Sequence, residues 1–490
     1  MNQWWRRYRW PPDPGEMILK RVLVAAMLAL AAPAQAGEAL VGATVIDGTG
    51  RTIDGGVVLV EGERIACVGS RAACPVPADA RVRDLGGRFI TPGLVDAHVH
   101  FAQTGWLDGR PDGVADRTVY PYEQTIAALR ADPGRWHRAY LCSGVTAAFD
   151  VGGAPWTVTG EQATDTARAD RIHVRAAGPL MTHAGLNSVF AIGALSDQPT
   201  FLPMESPGQI RADVARLKAM GSVAVKVWYL APPAGEAERL DALMMEAGAA
   251  ARDVGLPLIV HATELAQAKT ALRAGATMLV HSVENEFVDE EFLALLAANE
   301  AVYAPTLTVG RHWIEAVFSV ASGEAVPVDD PNRCVDEAIL ARIADPAALQ
   351  PSPAQASGPG LGERARQFER IGRETFIMRR NLATVADAGA RIVLATDAGN
   401  PLTVHGPSVY GEMEAMQAAG LSPARVIAAA TIEGARTMGM EREIGSLEAG
   451  KMADLLVLAE DPREDVAAFR SLEWVMRAGT MRAQKDLQVR

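Results

Sequence analysis

Two hydrophobic rhythms divide the chain. From about residue 38 to 90, short apolar runs alternate with turn residues: Leu40 to Ile46 before Asp47-Gly48-Thr49-Gly50, then Val57 to Val60, Glu61-Gly62-Glu63, and Ile65 to Val68. Short β-prone runs separated by such turns predict hairpins. Strand-like runs return at Ala453 to Leu458 and Trp474 to Met476. The two ends, 37–90 and 438–490, are therefore expected to build one small β-sandwich. The middle, 91–437, alternates apolar strands with amphipathic helices. The strands are expected at Leu94–Phe101, Thr146–Val151, His173–Ala177, Ala224–Trp228, Leu258–His261, Met278–His281, Val302–Pro305 and Ile392–Thr396. Helical periodicity marks Glu236 to Arg252, Glu264 to Ala274, Asp289 to Ala298 and Phe376 to Ala388. Eight strand–helix units predict an α/β fold, a (β/α)8 TIM barrel. A doubly wound sheet competes, but seldom needs eight such units. The rhythm breaks at about 314–375, where Pro351-Ser352-Pro353 and Gly358-Pro359-Gly360 punctuate a long insertion after the seventh strand. Such a segment is either a lid or a solvated excursion.

Composition narrows the partners. The 490 residues are 49% hydrophobic and 22% charged, ordinary for a globular protein. The net charge of -12 speaks against nucleic acid, whose phosphates need clustered Lys and Arg. Lys20 and Arg21, the apolar run Val22 to Ala32, and Ala34-Gln35-Ala36 before Gly37 have the layout of a signal peptide. Residues 1–36 are thus expected to be removed, with Met17 as an alternative start, leaving an exported protein, periplasmic or secreted, with no stable membrane insertion. Export permits disulfides. Of the four cysteines, Cys67 and Cys74 are close enough in sequence to bridge a turn, and none has the CxxC spacing of a thiolate metal site.

The chemistry gathers at the strand ends. His98 and His100 lie at i and i+2 of one strand, so their rings leave the same face. That spacing suits one metal ion, although two core histidines would give the same pattern. The fifth and sixth strands end on His261 and His281, the fourth carries Lys226, and Asp397 follows the eighth. In a barrel these ends share one mouth. Only nine histidines occur in the chain, so four at such positions are hard to assign to packing. Lys226, between Val225 and Val227, is expected to be buried, and a buried amine has a depressed pKa. A neutral amine adds carbon dioxide to give a carbamate, a two-oxygen anion able to bridge two metals. Snorkelling to the mouth or pairing with Asp397 are the plainer roles for this lysine. With the carbamate, one divalent ion would sit on His98, His100 and Asp397 and a second on His261 and His281.

The stretches Thr91-Pro92-Gly93-Leu94-Val95-Asp96-Ala97-His98-Val99-His100, Thr396-Asp397-Ala398-Gly399 and Gly445-Ser446-Leu447-Glu448-Ala449-Gly450-Lys451-Met452-Ala453-Asp454 resemble the amidohydrolase superfamily. The resemblance spans about 38–485. It is strongest to an exported branch related to imidazolonepropionase and to binuclear metal-dependent Xaa-Pro or Xaa-Arg dipeptidases. Lys226 favours the dipeptidase side. The resemblance implies two divalent metals, zinc first among them, with carbon dioxide held as the Lys226 carbamate, and it leaves homo-oligomer formation open. Asp397 is expected to carry the catalytic proton.

The expected substrate is small and peptide-like, a dipeptide or an N-acyl amino acid. An esterase, lactonase or phosphotriesterase on the same centre is an alternative, and a non-catalytic exported binding protein is another. Substrate contacts are expected from Tyr229, three residues past Lys226, from His183 in the loop after the third strand, and from His405 after Asp397. His312 and Trp313 would belong to the insertion. No Gly-x-Ser-x-Gly elbow is present, which argues against a serine hydrolase.

Overall fold

The computed structural model describes residues 37–109, 119–160, 168–183, 199–349 and 361–489. The expected leader 1–36 and the Pro- and Gly-rich stretch of the insertion lie outside them. Strands β1 (Glu38–Ile46), β2 (Thr52–Glu61), β3 (Arg64–Gly69), β4 (Arg81–Asp84) and β5 (Phe89–Pro92) come first. The barrel strands follow: β6 (Leu94–Val99), β7 (Val145–Asp150), β8 (His173–Ala176), β9 (Leu180–Thr182), β10 (Phe201–Pro203), β11 (Val225–Trp228), β12 (Leu258–His261), β13 (Met278–Val280), β14 (Val302–Ala304) and β15 (Arg391–Ile392). The chain ends with β16 (Leu455–Leu458), β17 (Leu472–Arg477) and β18 (Thr480–Ala483).

The terminal strands form one sheet in the order β18-β17-β16-β5-β1-β2-β3, with β4 added beside β1. Both chain ends contribute strands to it. The sheet is continuous rather than two packed layers. It returns on itself where the Ile65 amide donates to Lys451 O (2.9 Å) and the Ala453 amide to Glu63 O (2.8 Å). Leu40, Val58, Ile65, Ile90, Leu455 and Met476 share the apolar cluster that it wraps. The Cys67–Cys74 disulfide closes the turn after β3.

The central strands are parallel. β6-β7-β8 make one ladder and β10-β9-β11-β12-β13-β14-β15 another. Backbone hydrogen bonds join the two at both edges. Val223 N–H donates to Ala176 O (3.1 Å), while Ala97 N–H donates to Leu394 O (2.9 Å) and Asp397 N–H to His98 O (2.8 Å). Inside lies a cluster containing Val95, Ala97, Ala147, Phe149, Ile259, Val280, Val302 and Val393. Outside, Leu94, Val145 and Leu258 pack against helix residues such as Leu243, Met244 and Leu272. Small and β-branched residues inward with larger ones under the helices is the packing of an α/β barrel.

The insertion is more helical than its sequence suggests. Helices run over Val309–Ser322, Glu337–Ile343 and Leu361–Asp387, the last extending well before Phe376. Its first half is so rich in Arg and Glu that the apolar stripe is faint. A second disulfide, Cys142–Cys334, fastens the segment to the helix Gly134–Cys142 across 192 residues of sequence. Such a long loop restricts the unfolded chain strongly, so replacing both cysteines by alanine should cost about 2–4 kcal/mol. Denaturant titration of the double variant checks the cost. Non-reducing peptide mapping of the wild type should recover the Cys142–Cys334 pair.

Candidate metal centre

The predicted ligands sit in the barrel strands or in the segments that follow them. His98 and His100 flank the end of β6, Lys226 lies in β11, His261 closes β12, His281 follows β13 and Asp397 follows β15. A register shift between Asp96 and Val99 in the β6–β7 ladder re-aims the strand. Such a shift turns side chains to the other face, and so His98 and His100 project into the mouth although Val95 and Ala97 point into the core. All six groups line one cavity of about 430 Å³.

The spacing is that of a ligand set. His98 Nε2 lies 3.2 Å from His100 Nε2 and 3.3 Å from Asp397 Oδ1, and His100 Nε2 lies 2.9 Å from the same oxygen. His281 Nε2 is 3.9 Å from Asp397 Oδ2, and the rings of His261 and His281 are 4.4 Å apart. His98, His281 and Asp397 each offer an atom within 4.8 Å of the others. His100 Nδ1 is 2.6 Å from Gly152 O. A carbonyl only accepts, so Nδ1 carries the hydrogen, and in the neutral ring Nε2 presents a lone pair to the centre. Nitrogen and carboxylate lone pairs thus face one another, an arrangement that calls for a cation between them. Asp397 Oδ1, which faces His98 Nε2 and His100 Nε2, is a buried oxygen whose hydrogen-bonding capacity is unsatisfied, as a donor atom of a metal site would be. The residues fit a divalent ion.

Burial pushes the His98 imidazole well below its ordinary pKa, and the nearby Lys226 charge adds to this. Burial does the same to His281, with His261 beside it. Neutral imidazole is the ligating form. Lys226 is 3% exposed, and burial lowers its amine from 10.5 to about 7, with Asp397 opposing the shift.

The supports of these ligands carry little sequence signal. His281 Nδ1 bonds Thr306 Oγ1 at 2.6 Å. Thr396 Oγ1 donates to Asp96 Oδ2 at 2.5 Å, and the Thr396 amide donates to Asp96 Oδ1 at 3.1 Å, locking β6 to the segment that bears Asp397. His281 (φ 75°), Thr306 (φ 44°) and Asp397 (φ 63°) all adopt left-handed backbone without being glycine. Such strain gathers where surrounding structure holds a functional geometry. At Gly152 a Cβ would lie 2.8 Å from Leu180 Cδ2 and 3.4 Å from His100 Cε1. Gly152→Ala is therefore expected to cost about 1–3 kcal/mol by overpacking and to shrink the rise in melting temperature on adding zinc. Thermal denaturation with and without zinc measures both.

The expected substrate contacts are not where the sequence placed them. Lys226 and Trp228, two apart on β11, both line the cavity, whereas Tyr229 turns the other way and is 1% exposed. Its hydroxyl donates to Asp241 on the helix Ala237–Asp253. His405 is a core histidine. Its Nδ1 meets Tyr140 Oη at 2.9 Å, its Nε2 is 3.1 Å from Gln103 O, and its ring lies 3.9 Å from that of Trp136. His183 is half-buried, with Nε2 3.0 Å from Leu230 O, and is not among the cavity-lining residues. His312 Nδ1 is 3.1 Å from Thr403 Oγ1.

The insertion does reach the cavity, through Trp313 and, from the helix Leu361–Asp387, Arg370, Glu374 and Met378. Trp313 Nε1 donates to Asn400 Oδ1 (3.2 Å), and Asn400 Nδ2 donates to Asp397 O (3.1 Å).

A family model described as the amidohydrolase family matches residues 89–481. The chain belongs to the amidohydrolase family. It is accordingly a hydrolase of the class acting on C–N bonds, with a TIM-barrel-type fold, in a family that generally uses divalent metals. The amidohydrolase is 27% identical over 458 residues to a 5-methylthioadenosine/S-adenosylhomocysteine deaminase of Symbiobacterium thermophilum, covering 87% of each chain. It is 45% identical over 87 residues to an imidazolonepropionase of Ralstonia nicotianae, covering 17% of this chain and 20% of that one. Its fold matches a Xaa-Pro dipeptidase solved with methionine in the active site, with a TM-score of 0.65, 19% identity, and 91% and 100% of the two chains covered.

Proposed function

We propose that this amidohydrolase cleaves peptide-like amide bonds, in dipeptides or N-acyl amino acids, at a two-metal centre bridged by carboxylated Lys226. The observation that carries the reading is Lys226 itself, an amine 3% exposed and lining the same cavity as all four histidines and Asp397. A neutral Nζ can form a bond to the carbon of carbon dioxide and release a proton, leaving an anionic carbamate with an oxygen for each ion. His98, His100 and Asp397 would hold one ion, His261 and His281 the other. Bound there, the pair would make water acidic enough to ionise near neutral pH and would polarise the scissile carbonyl.

The chain's own groups do the rest. Asp397 has two oxygens with different surroundings, Oδ1 facing His98 and His100 and Oδ2 towards His281. With one oxygen committed to metal, the other can take the proton of the attacking water and pass it to the leaving nitrogen. An amide nitrogen leaves poorly unless protonated, so this transfer decides the rate. Trp228 and Trp313 give the cavity apolar walls suited to a side chain of the substrate. We extend the proposal to an exported location, since two disulfides suit an oxidising compartment.

A deaminase is the second reading, favoured by the similarity to the Symbiobacterium thermophilum deaminase over 87% of each chain. Product analysis separates the two. Zinc-loaded protein in bicarbonate buffer would be offered dipeptides, N-acyl amino acids, simple esters and aminopurine nucleosides, with His98→Ala/His100→Ala as blank. The proposal expects amino acids released from the amides. Ammonia from the purines alone would establish the second reading, and ester cleavage alone would move the reaction to C–O bonds.

A further inference from the structure

Glu412 has no part in the chemistry above, yet it is fully buried in the helix Ser408–Ala418, which follows the Asp397 loop. Among the described residues it has no ion-pair partner. Burying a lone carboxylate is costly unless donors surround it, and here three do. Leu307 N–H donates to Oε1 at 2.7 Å, Thr308 N–H to Oε2 at 3.1 Å, and Thr308 Oγ1 to Oε2 at 2.9 Å. All three donors belong to the two residues after Thr306. Thr306 is held in left-handed backbone (φ 44°) and presents its hydroxyl to His281 Nδ1 at 2.6 Å. The same segment takes hydrogen bonds at Ala304 O from the His281 amide (2.9 Å) and at Pro305 O from the Ser282 amide (3.0 Å).

We infer that Glu412 is a positioning residue for the metal centre: by clamping the amides of Leu307 and Thr308 it holds Thr306 in its strained conformation, and Thr306 in turn fixes the direction of the His281 ring. Thr306, a β-branched residue, does not favour positive φ, and the clamp opposes its relaxation. The clamp also ties the His281 side of the site to the helix that follows Asp397, so the two halves of the ligand set are registered to each other. The inference rests on the metal reading of the site. It adds to that reading a residue 15 positions beyond Asp397, on an element that supplies no ligand.

Glu412→Gln tests it. The amide keeps the shape but replaces one acceptor oxygen with a donor, which would confront either the Leu307 amide or the Thr308 pair. Zinc affinity, measured by competition with a chromogenic chelator, is read alongside the melting temperature of the metal-free protein. Loss of the ligand-supporting hydroxyl in Thr306→Val should weaken zinc binding about 10–100-fold, the range for removing a ligand's hydrogen-bond partner. Glu412→Gln should weaken it about tenfold, and the double variant should be no worse than Thr306→Val alone, because both changes act through one contact. Thr308→Val removes a single bond of the clamp and should shift affinity in the same direction by a few-fold, so it carries the test if Glu412→Gln does not fold. Unchanged zinc affinity with only a lowered melting temperature would reduce Glu412 to a structural residue and overturn the inference. Full additivity with Thr306→Val would overturn the route through Thr306. Wild-type protein that binds no zinc would instead overturn the metal reading, and this inference with it.

Discussion

Asp397→Asn should lose about 10²–10⁴-fold in turnover, the range supplied by a positioned general acid–base group, while retaining its metal. Asparagine preserves the shape and one oxygen donor, so the ligand role survives. Its nitrogen cannot accept a proton from water, so the transfer to the leaving group does not. The loss should fall on kcat, with KM little changed, because a proton transfer made only in the transition state adds nothing to ground-state binding. Steady-state kinetics together with metal content by mass spectrometry give both halves. Wild-type turnover in the variant would remove Asp397 from the proton path, and loss of metal would show that it acts as a ligand only.

Lys226→Met should be nearly as damaging, by a different route. On the proposed two-metal reading, removing the amine prevents carbamate formation, and the two ions would lose the group that joins them. The metal-free protein offers an independent check. Burial holds Lys226 at about 7 in the folded chain against 10.5 in the reference state. From about pH 7 to 10.5 the unfolded chain therefore binds one more proton than the folded one, and folding stability rises with pH across that window. Below about 7 both states are protonated, and the penalty of burying the ammonium is fully present. One proton corresponds to at most about 1.4 kcal/mol per pH unit. Urea titrations in chelator between pH 7 and 10 should show the wild type gaining stability relative to Lys226→Met. Parallel curves for the two proteins would contradict a depressed lysine.

The metal centre was legible because one rule generates it. Polar residues in or after apolar barrel strands gather towards one mouth, and His98, His100, Lys226, His261, His281 and Asp397 all line one cavity. Beyond the strand ends periodicity runs out. Tyr229 is one residue past β11, and the same alternation that aims Lys226 and Trp228 at the cavity sends Tyr229 to Asp241. His405 looked like a pocket residue because of its place after Asp397, but Trp136, Tyr140 and Gln103, all distant in sequence, make it core. The Cys142–Cys334 bridge has no local signature for the same reason. Arg370 and Met378 enter the cavity on the helix Leu361–Asp387, whose charged composition masks its apolar stripe, and Trp313 enters from the helix Val309–Ser322. The Asp96–Thr396 lock joins residues 300 apart in sequence, and the Gly152 carbonyl acts through the backbone, which the identity of a side chain does not reveal.

The most direct single measurement is the number of zinc ions bound per chain after reconstitution in bicarbonate buffer, compared with reconstitution in buffer stripped of carbon dioxide. The account predicts two ions with bicarbonate and fewer without it, since the bridge requires the Lys226 carbamate. One ion under both conditions would contradict the two-metal centre and favour the mononuclear chemistry of the deaminase reading.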